Sequence, residues 1–165
     1  PSKGPAHRNR KINVKNNADL VTLGWREWVR LPDLDIDAIK AKVDTGARTS
    51  AIHAFELGTF TENGKDRVKF RIHPLQKDDE TIVTCTADVL DKRVVTDSGG
   101  HKEERIVIST TLGIGKYSWP IEATLTARDT MMFRMLLGRT AIKGRAQVNP
   151  ARSYLVGKKK RTIKA

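Results

Sequence analysis

The chain has 165 residues, of which 38% are hydrophobic and 30% charged, and a formal net charge of +12. That length and balance suit one globular domain with a sizeable core. No run approaches the ~18 apolar residues of a membrane span, and a single cysteine, Cys85, excludes an intrachain disulfide.

The charge is unevenly distributed. Residues 1–20 hold five Lys/Arg against one Asp, and residues 151–165 hold six against no acid, so the two ends supply ten of the twelve net charges. The body, with 20 basic and 18 acidic residues, is nearly balanced, and nothing in it reads as a basic stripe with interleaved aromatics of the kind that binds single strands. The expected organisation is a flexible basic arm over residues 1–19, a folded domain over 20–156 and a basic tail over 157–165. Such ends contact polyanions, nucleic acid or the ribosome among them, or simply keep a protein in solution. The first ten residues lack the apolar core of a secretory signal, so a cytoplasmic location is expected.

Strand patterns dominate the chain. Residues 21–31, a turn at Pro32-Asp33 and an alternating run over 37–43 read as a hairpin that ends on Asp44-Thr45-Gly46-Ala47. Residues 51–57 and 67–73 alternate about the turn Glu62-Asn63-Gly64-Lys65 and read as a second hairpin. Strands over 82–89, 93–96 and 104–109 follow, the last two flanking the polar turn 97–101. Residues 111–126 form a further hairpin through Gly115-Lys116, and one short helix is expected over 140–143, after Gly138. Cys85, inside an apolar run, reads as a small buried strand residue. Many short strands at regular spacing argue for an all-β barrel or sandwich.

Four segments together resemble a bacterial retropepsin-like aspartic peptidase family that carries the inherited name of ATP-dependent zinc protease. They are residues 42–54 around Asp44-Thr45-Gly46, residues 97–105, residues 125–131, and Met135-Leu136-Leu137-Gly138-Arg139. The resemblance covers residues 20–156. It implies a closed all-β acid-protease barrel, with one short helix after Leu136-Leu137-Gly138-Arg139 and Asp44 at its centre. It also implies a hydrolase: Asp44 as the catalytic carboxylate, Thr45 bonding to a partner turn, and Gly46 permitting close backbone approach. Aspartic peptidase chemistry requires two carboxylates sharing one proton, since like charges so close cannot both ionise. The chain has one Asp-Thr-Gly, so the resemblance implies a homodimer that builds its cleft on a two-fold axis.

Asp97-Ser98-Gly99 is the one similar triplet, but its polar surroundings between alternating runs read as a hairpin tip. Residues 95–105 are therefore expected to form a flap over substrate, with Ser98, Gly99 and Gly100 at its tip and Arg105 at its base. Ala47 and Arg48, just past the catalytic turn, are the other expected substrate contacts. Arg48, Arg105, Arg128 and Arg139 are candidates to read carboxylates through their guanidinium forks, the alternative for each being a structural salt bridge, favoured for Arg139. The substrate expected from the resemblance is a peptide or protein tail rich in acid. The four histidines, His7, His53, His73 and His101, form no His-Glu-x-x-His pair, and Gly113-Ile114-Gly115 lacks phosphate-cradle spacing. No metal and no nucleotide cofactor is expected. A non-catalytic peptide-binding module and a basic RNA- or ribosome-associated protein are the competing functions.

Overall fold

Alternating apolar residues build β2 (Arg26–Leu31) and β3 (Ile36–Val43), which pair antiparallel. A 3-10 turn at Pro32–Leu34 joins them, and Asp35, with φ 58, carries the chain out of it. The Asp33 carboxylate in that turn accepts the Thr111 N–H at 2.9 Å and its hydroxyl at 2.7 Å, tying the hairpin to the long strand β9 (Lys102–Ile114). The computed structural model describes residues 20–76, 78, 80–96, 99–127 and 132–158; the arm 1–19, most of the tail, Asp97, Ser98 and Arg128 lie outside them.

Six strands close a barrel. From β9 the order runs through β10 (Tyr117–Thr126), β4 (Ser50–His53), β11 (Met135–Leu137), β3 and β2, and β2 meets β9 again at Arg30 and Gly113. Closure removes unpaired edges. The interior holds Ile39, Ile52, Ile108, Leu112, Leu125 and Met135, all fully buried. β8 (Asp91–Thr96) extends the sheet by pairing with the far end of β9. A second sheet of β5 (Phe55–Glu62), β6 (Lys65–Ile72) and β7 (Val83–Asp88) sends Val68, Phe70, Ile72 and Cys85 into the same core. The expected all-β barrel is what forms.

Several strand limits differ from the sequence expectation. The run 51–57 is two strands in two sheets: Ala54 donates to Thr126 O at 2.9 Å as the chain leaves the barrel, and Glu56, at φ 53, turns it outward. The expected strands over 104–109 and 111–114 are one continuous β9. The run 21–31 breaks at Gly24, leaving β1 (Val21–Leu23) to pair in parallel with β12 (Ala146–Val148). Elsewhere the expectation holds. Asn63 and Gly64, with φ of 52 and 76, make the tight turn of the β5–β6 hairpin, Gly115 turns β9 into β10 at φ 57, and α1, the one α-helix among the described residues, spans Arg139–Ile142. So short a helix is marginal alone. It is held by burial of Ala141 and Ile142 and by the Trp119 indole N–H, which donates to Ala141 O at 2.7 Å.

Glu27 explains the break at Gly24. Its neighbours on β2, Arg26 and Trp28, face outward, so alternation sends this carboxylate inward, where it is fully buried. There it accepts four backbone N–H groups: Gly24 at 2.6 Å, Leu155 and Val156 at 2.9 Å each, and Gly157 at 2.6 Å. Burying a charge is tolerated only when its acceptor capacity is filled. The carboxylate thereby straps residues 152–157 across β1 and β2, helped by Trp25 N–H to Arg152 O, Tyr154 N–H to Arg26 O and Trp28 N–H to Gly157 O. Gly157 lies so close to the Trp28 carbonyl oxygen that no side chain fits there.

Two outcomes follow from this packing. Glu27→Gln, which turns an amide donor towards N–H groups, is expected to lower stability by about 2–4 kcal/mol in urea titration. Cys85 is buried in the core, and that burial, with a smaller push from the Asp35 carboxylate, raises its thiol to about 11. At pH 8 only about a thousandth is thiolate, so alkylation should wait for unfolding. Because the unfolded thiol ionises first, the stability this residue contributes is lost as pH rises from about 8.5 towards that raised value.

Candidate active site

β3 leads into Asp44, whose N–H donates to Leu137 O at 2.8 Å and so extends the parallel β3–β11 ladder by one bond. The chain then folds back on its own carboxylate: Gly46 N–H donates to Asp44 Oδ1 at 3.0 Å, and Ala47 N–H to Asp44 O at 3.2 Å. A Cβ on Gly46 would lie 3.2 Å from that Oδ1, tighter than ordinary contact. Asp44 is therefore oriented by its own turn, half-buried, while Thr45 and Arg48 are exposed.

The residues after β11 hold the turn from below. The Arg139 guanidinium donates through Nη1 to Thr45 O at 3.3 Å and to Gly46 O at 3.2 Å. Arg139 N–H donates to Ala47 O at 2.8 Å, and Arg48 O receives both the N–H of Thr140 at 3.0 Å and its hydroxyl at 2.8 Å. Every carbonyl from Asp44 to Arg48 thus has a donor. The N–H groups that serve Ala47 and Arg48 are the first two of α1, which no helical carbonyl can satisfy. Gly138 makes the approach possible, since a Cβ there would lie 2.6 Å from the Thr49 carbonyl carbon. Its N–H donates to the Ser50 hydroxyl at 3.0 Å, a contact with no signal in the sequence beyond a polar residue after the turn.

The expected site residues fall into two groups. Asp44, Thr45, Gly46, Ala47 and Arg48 form one rigid turn. The Thr45 hydroxyl and the Arg48 guanidinium have no partner among the described residues, and Arg48 borders a shallow depression lined also by Thr49, Arg93, Glu122 and Thr140. Gly99 and Gly100 are on the separate β8–β9 hairpin, where Gly100 is exposed at φ 85, and Ser98 lies outside the described residues. Arg105, within β9, is largely buried with Nε 3.3 Å from Glu103 Oε2. The Arg139 guanidinium donates to backbone carbonyls and forms no ion pair among the described residues. Among the described residues no three His, Cys, Asp or Glu side chains converge as a metal site. His53 is buried on β4, and His73 stacks on Phe55 with ring centroids 4.4 Å apart.

An Asp-Thr-Gly turn braced by an apolar-apolar-Gly strand inserted between β3 and β4 is a retropepsin-like arrangement. Comparison with known proteins agrees: the model of the RimB-like family, described as retropepsin-like aspartic endopeptidase RimB, matches residues 22–159, and the chain belongs to that family. A probable alpha-L-glutamate ligase of Desulfotalea psychrophila is 47% identical over 135 residues, 82% of this chain and 29% of that protein. A protein of the same name from Shewanella pealeana is 42% identical over 137 residues, covering 83% and 30%. The chain thus spans about three-tenths of the length of these curated relatives. A Legionella pneumophila protein of unknown function shares the fold, with a TM-score of 0.69, 23% identity, and coverage of 82% of this chain and 97% of that one. Among the described residues no helix is long and apolar enough to cross a membrane.

If Arg139 braces the turn, Arg139→Met should speed amide exchange at Gly46 and Ala47 at least tenfold. Global stability should fall by only about 1–2 kcal/mol, the scale of two exposed hydrogen bonds.

Proposed function

We propose that the protein is an aspartic endopeptidase whose active site forms when two copies bring their Asp44 turns together. The observation that carries this reading is the build of the turn. Its backbone is clamped at five consecutive carbonyls, while Asp44 is partly open to solvent and the Thr45 hydroxyl has no partner among the described residues. Such rigidity is what a second, symmetry-related turn would need in order to dock. In the pair one carboxylate is ionised and one protonated. The ionised group takes a proton from a water as that water attacks the scissile carbonyl carbon, and the protonated group gives its proton to the carbonyl oxygen. Collapse of the tetrahedral intermediate expels the amine, with proton return to the leaving nitrogen and no covalent enzyme intermediate. The β8–β9 hairpin, with Gly99 and Gly100 in its connection, is the flap of this reading.

The substrate proposed is an acid-rich peptide tail. Arg48, exposed four residues beyond Asp44 and fixed through its carbonyl, is placed to read a carboxylate. Two-fold symmetry would put one such guanidinium on each side of the scissile bond. Relatives named for joining glutamate offer a compatible chemistry, since an enzyme acting beside them would meet glutamate-rich chains.

Mixing subunits tests the shared site. Asp44→Asn alone should lose at least about a thousandfold in hydrolysis of a glutamate-rich peptide. In an equal mixture with the parent, random pairing leaves about one quarter of the activity if each site needs two Asp44 residues, and about one half if each chain works alone. One half would refute the dimeric site; hydrolysis undiminished in Asp44→Asn would refute the peptidase assignment.

A further inference from the structure

The outer face of the β2–β3 hairpin carries a cluster that the peptidase chemistry does not use. Pairing sets Arg26 opposite Lys42 and Trp28 opposite Lys40, so these four side chains share one side of the sheet. The strap adds Tyr154. The Arg26 guanidinium lies 4.5 Å from the Trp25 ring centroid and 5.0 Å from that of Tyr154, and the Lys40 ammonium lies 5.3 Å from Trp28 and 5.9 Å from Tyr154. Tyr154 takes a φ of 53, a left-handed backbone that is costly for a bulky aromatic. Its N–H bond to Arg26 O and the Glu27 clamp on the next three residues hold it there, setting the ring among the cations.

These cations are not neutralised. Among the described residues Arg67, Arg71, Arg93 and Arg105 each have an acidic partner, whereas Arg26, Arg30, Lys40 and Lys42 have no ion pair. Arg30 donates to Gly115 O at 2.9 Å instead. Asp37 is the one carboxylate residue lining the depression formed by Trp28, Arg30 and Lys158. Positive charge continues along the chain from there. The described chain leaves this face at Lys158, one residue past the Gly157 carbonyl that accepts the Trp28 N–H, and Lys159, Lys160 and Arg161 follow in sequence. From residue 130 to 165 there are ten Lys/Arg and no Asp or Glu.

We infer that this face binds single-stranded nucleic acid. An acidic peptide would use the cations but not the rings, whose π faces are negative and repel carboxylates. Nucleic acid uses both: phosphates pair with Arg26, Lys40 and Lys42, and bases stack on aromatic rings and on guanidinium planes. Cations interleaved with Trp25, Trp28 and Tyr154 are the combination that tracks a single strand. The surface would anchor the protein to an RNA-containing partner, independently of what the Asp44 site cleaves.

Fluorescence anisotropy of the full chain with a labelled RNA of about twelve nucleotides tests this across a salt series. Lys40→Gln with Lys42→Gln should flatten the slope of log affinity against log salt by about 1.4, two single-strand phosphate contacts. Tyr154→Asn, which keeps a residue tolerant of the left-handed backbone and removes the ring, should weaken binding roughly tenfold. The double lysine variant replaces two outward-facing cations, leaves the backbone of the strap untouched, and decides the matter if the tyrosine variant fails to fold. The inference is overturned if both variants bind like the parent, if binding is lost only on deleting residues 158–165, or if a glutamate-rich peptide of equal charge displaces the RNA as well as unlabelled RNA does.

Discussion

Gly138 is the point at which the strand β11, the helix α1 and the loop carrying Asp44 meet without a side chain between them. With a Cβ excluded there by the Thr49 carbonyl, the backbone of residues 44–50 settles directly onto the start of α1. Two sets of groups that would otherwise be unsatisfied then serve one another: the first N–H groups of the helix and the carbonyls of the turn. Arg139 completes the arrangement from the same junction. Asp44 is consequently held by the backbone of its own turn, which the Arg139 guanidinium braces through the carbonyls of Thr45 and Gly46. That suits a catalytic carboxylate, which must keep its position as its own charge changes during the reaction.

A similar economy governs the end of the folded chain. Alternation along β2 sends Arg26 and Trp28 to the surface and Glu27 to the interior, and the buried carboxylate then recruits backbone N–H groups from residues 155–157. One strand therefore generates both the clamp that fixes the strap and the cationic, aromatic face that the strap completes. The acid is filled by backbone N–H groups inside the protein and forms no ion pair with Arg26 or Lys40 among the described residues. A nearly balanced body charge conceals this separation, because acidic partners are concentrated beside Arg67, Arg71, Arg93 and Arg105.

The hairpins around Pro32-Asp33, Asn63-Gly64 and Gly115-Lys116 were legible because turn chemistry and two-residue alternation are local signals. The helix after Gly138 and the strand before it were legible through a family resemblance that the barrel and the family match uphold. What alternation does not encode is the sheet to which a strand belongs. Residues 51–57 keep one unbroken pattern while passing from the barrel to the outer sheet, because both surfaces need an inward apolar face. The strap was invisible for a different reason: residues 149–157 have little periodicity and are ordered by hydrogen bonds to β1, β2 and a buried acid more than a hundred positions away.

By itself, the amino-acid order determined the all-β character, the tight turns, and the placing of a lone carboxylate at a strand end with glycine behind it, since these depend on φ preferences and on which face each residue presents. Tertiary structure decided the rest: that Arg139 donates to the carbonyls of the Asp44 turn, that Glu27 is filled by four N–H groups, and that Tyr154 meets Arg26 and Lys40. Apart from the Gly24 bond to Glu27, each of these pairs residues distant in sequence through directional contacts of a few ångströms, and such contacts exist only once the barrel has closed.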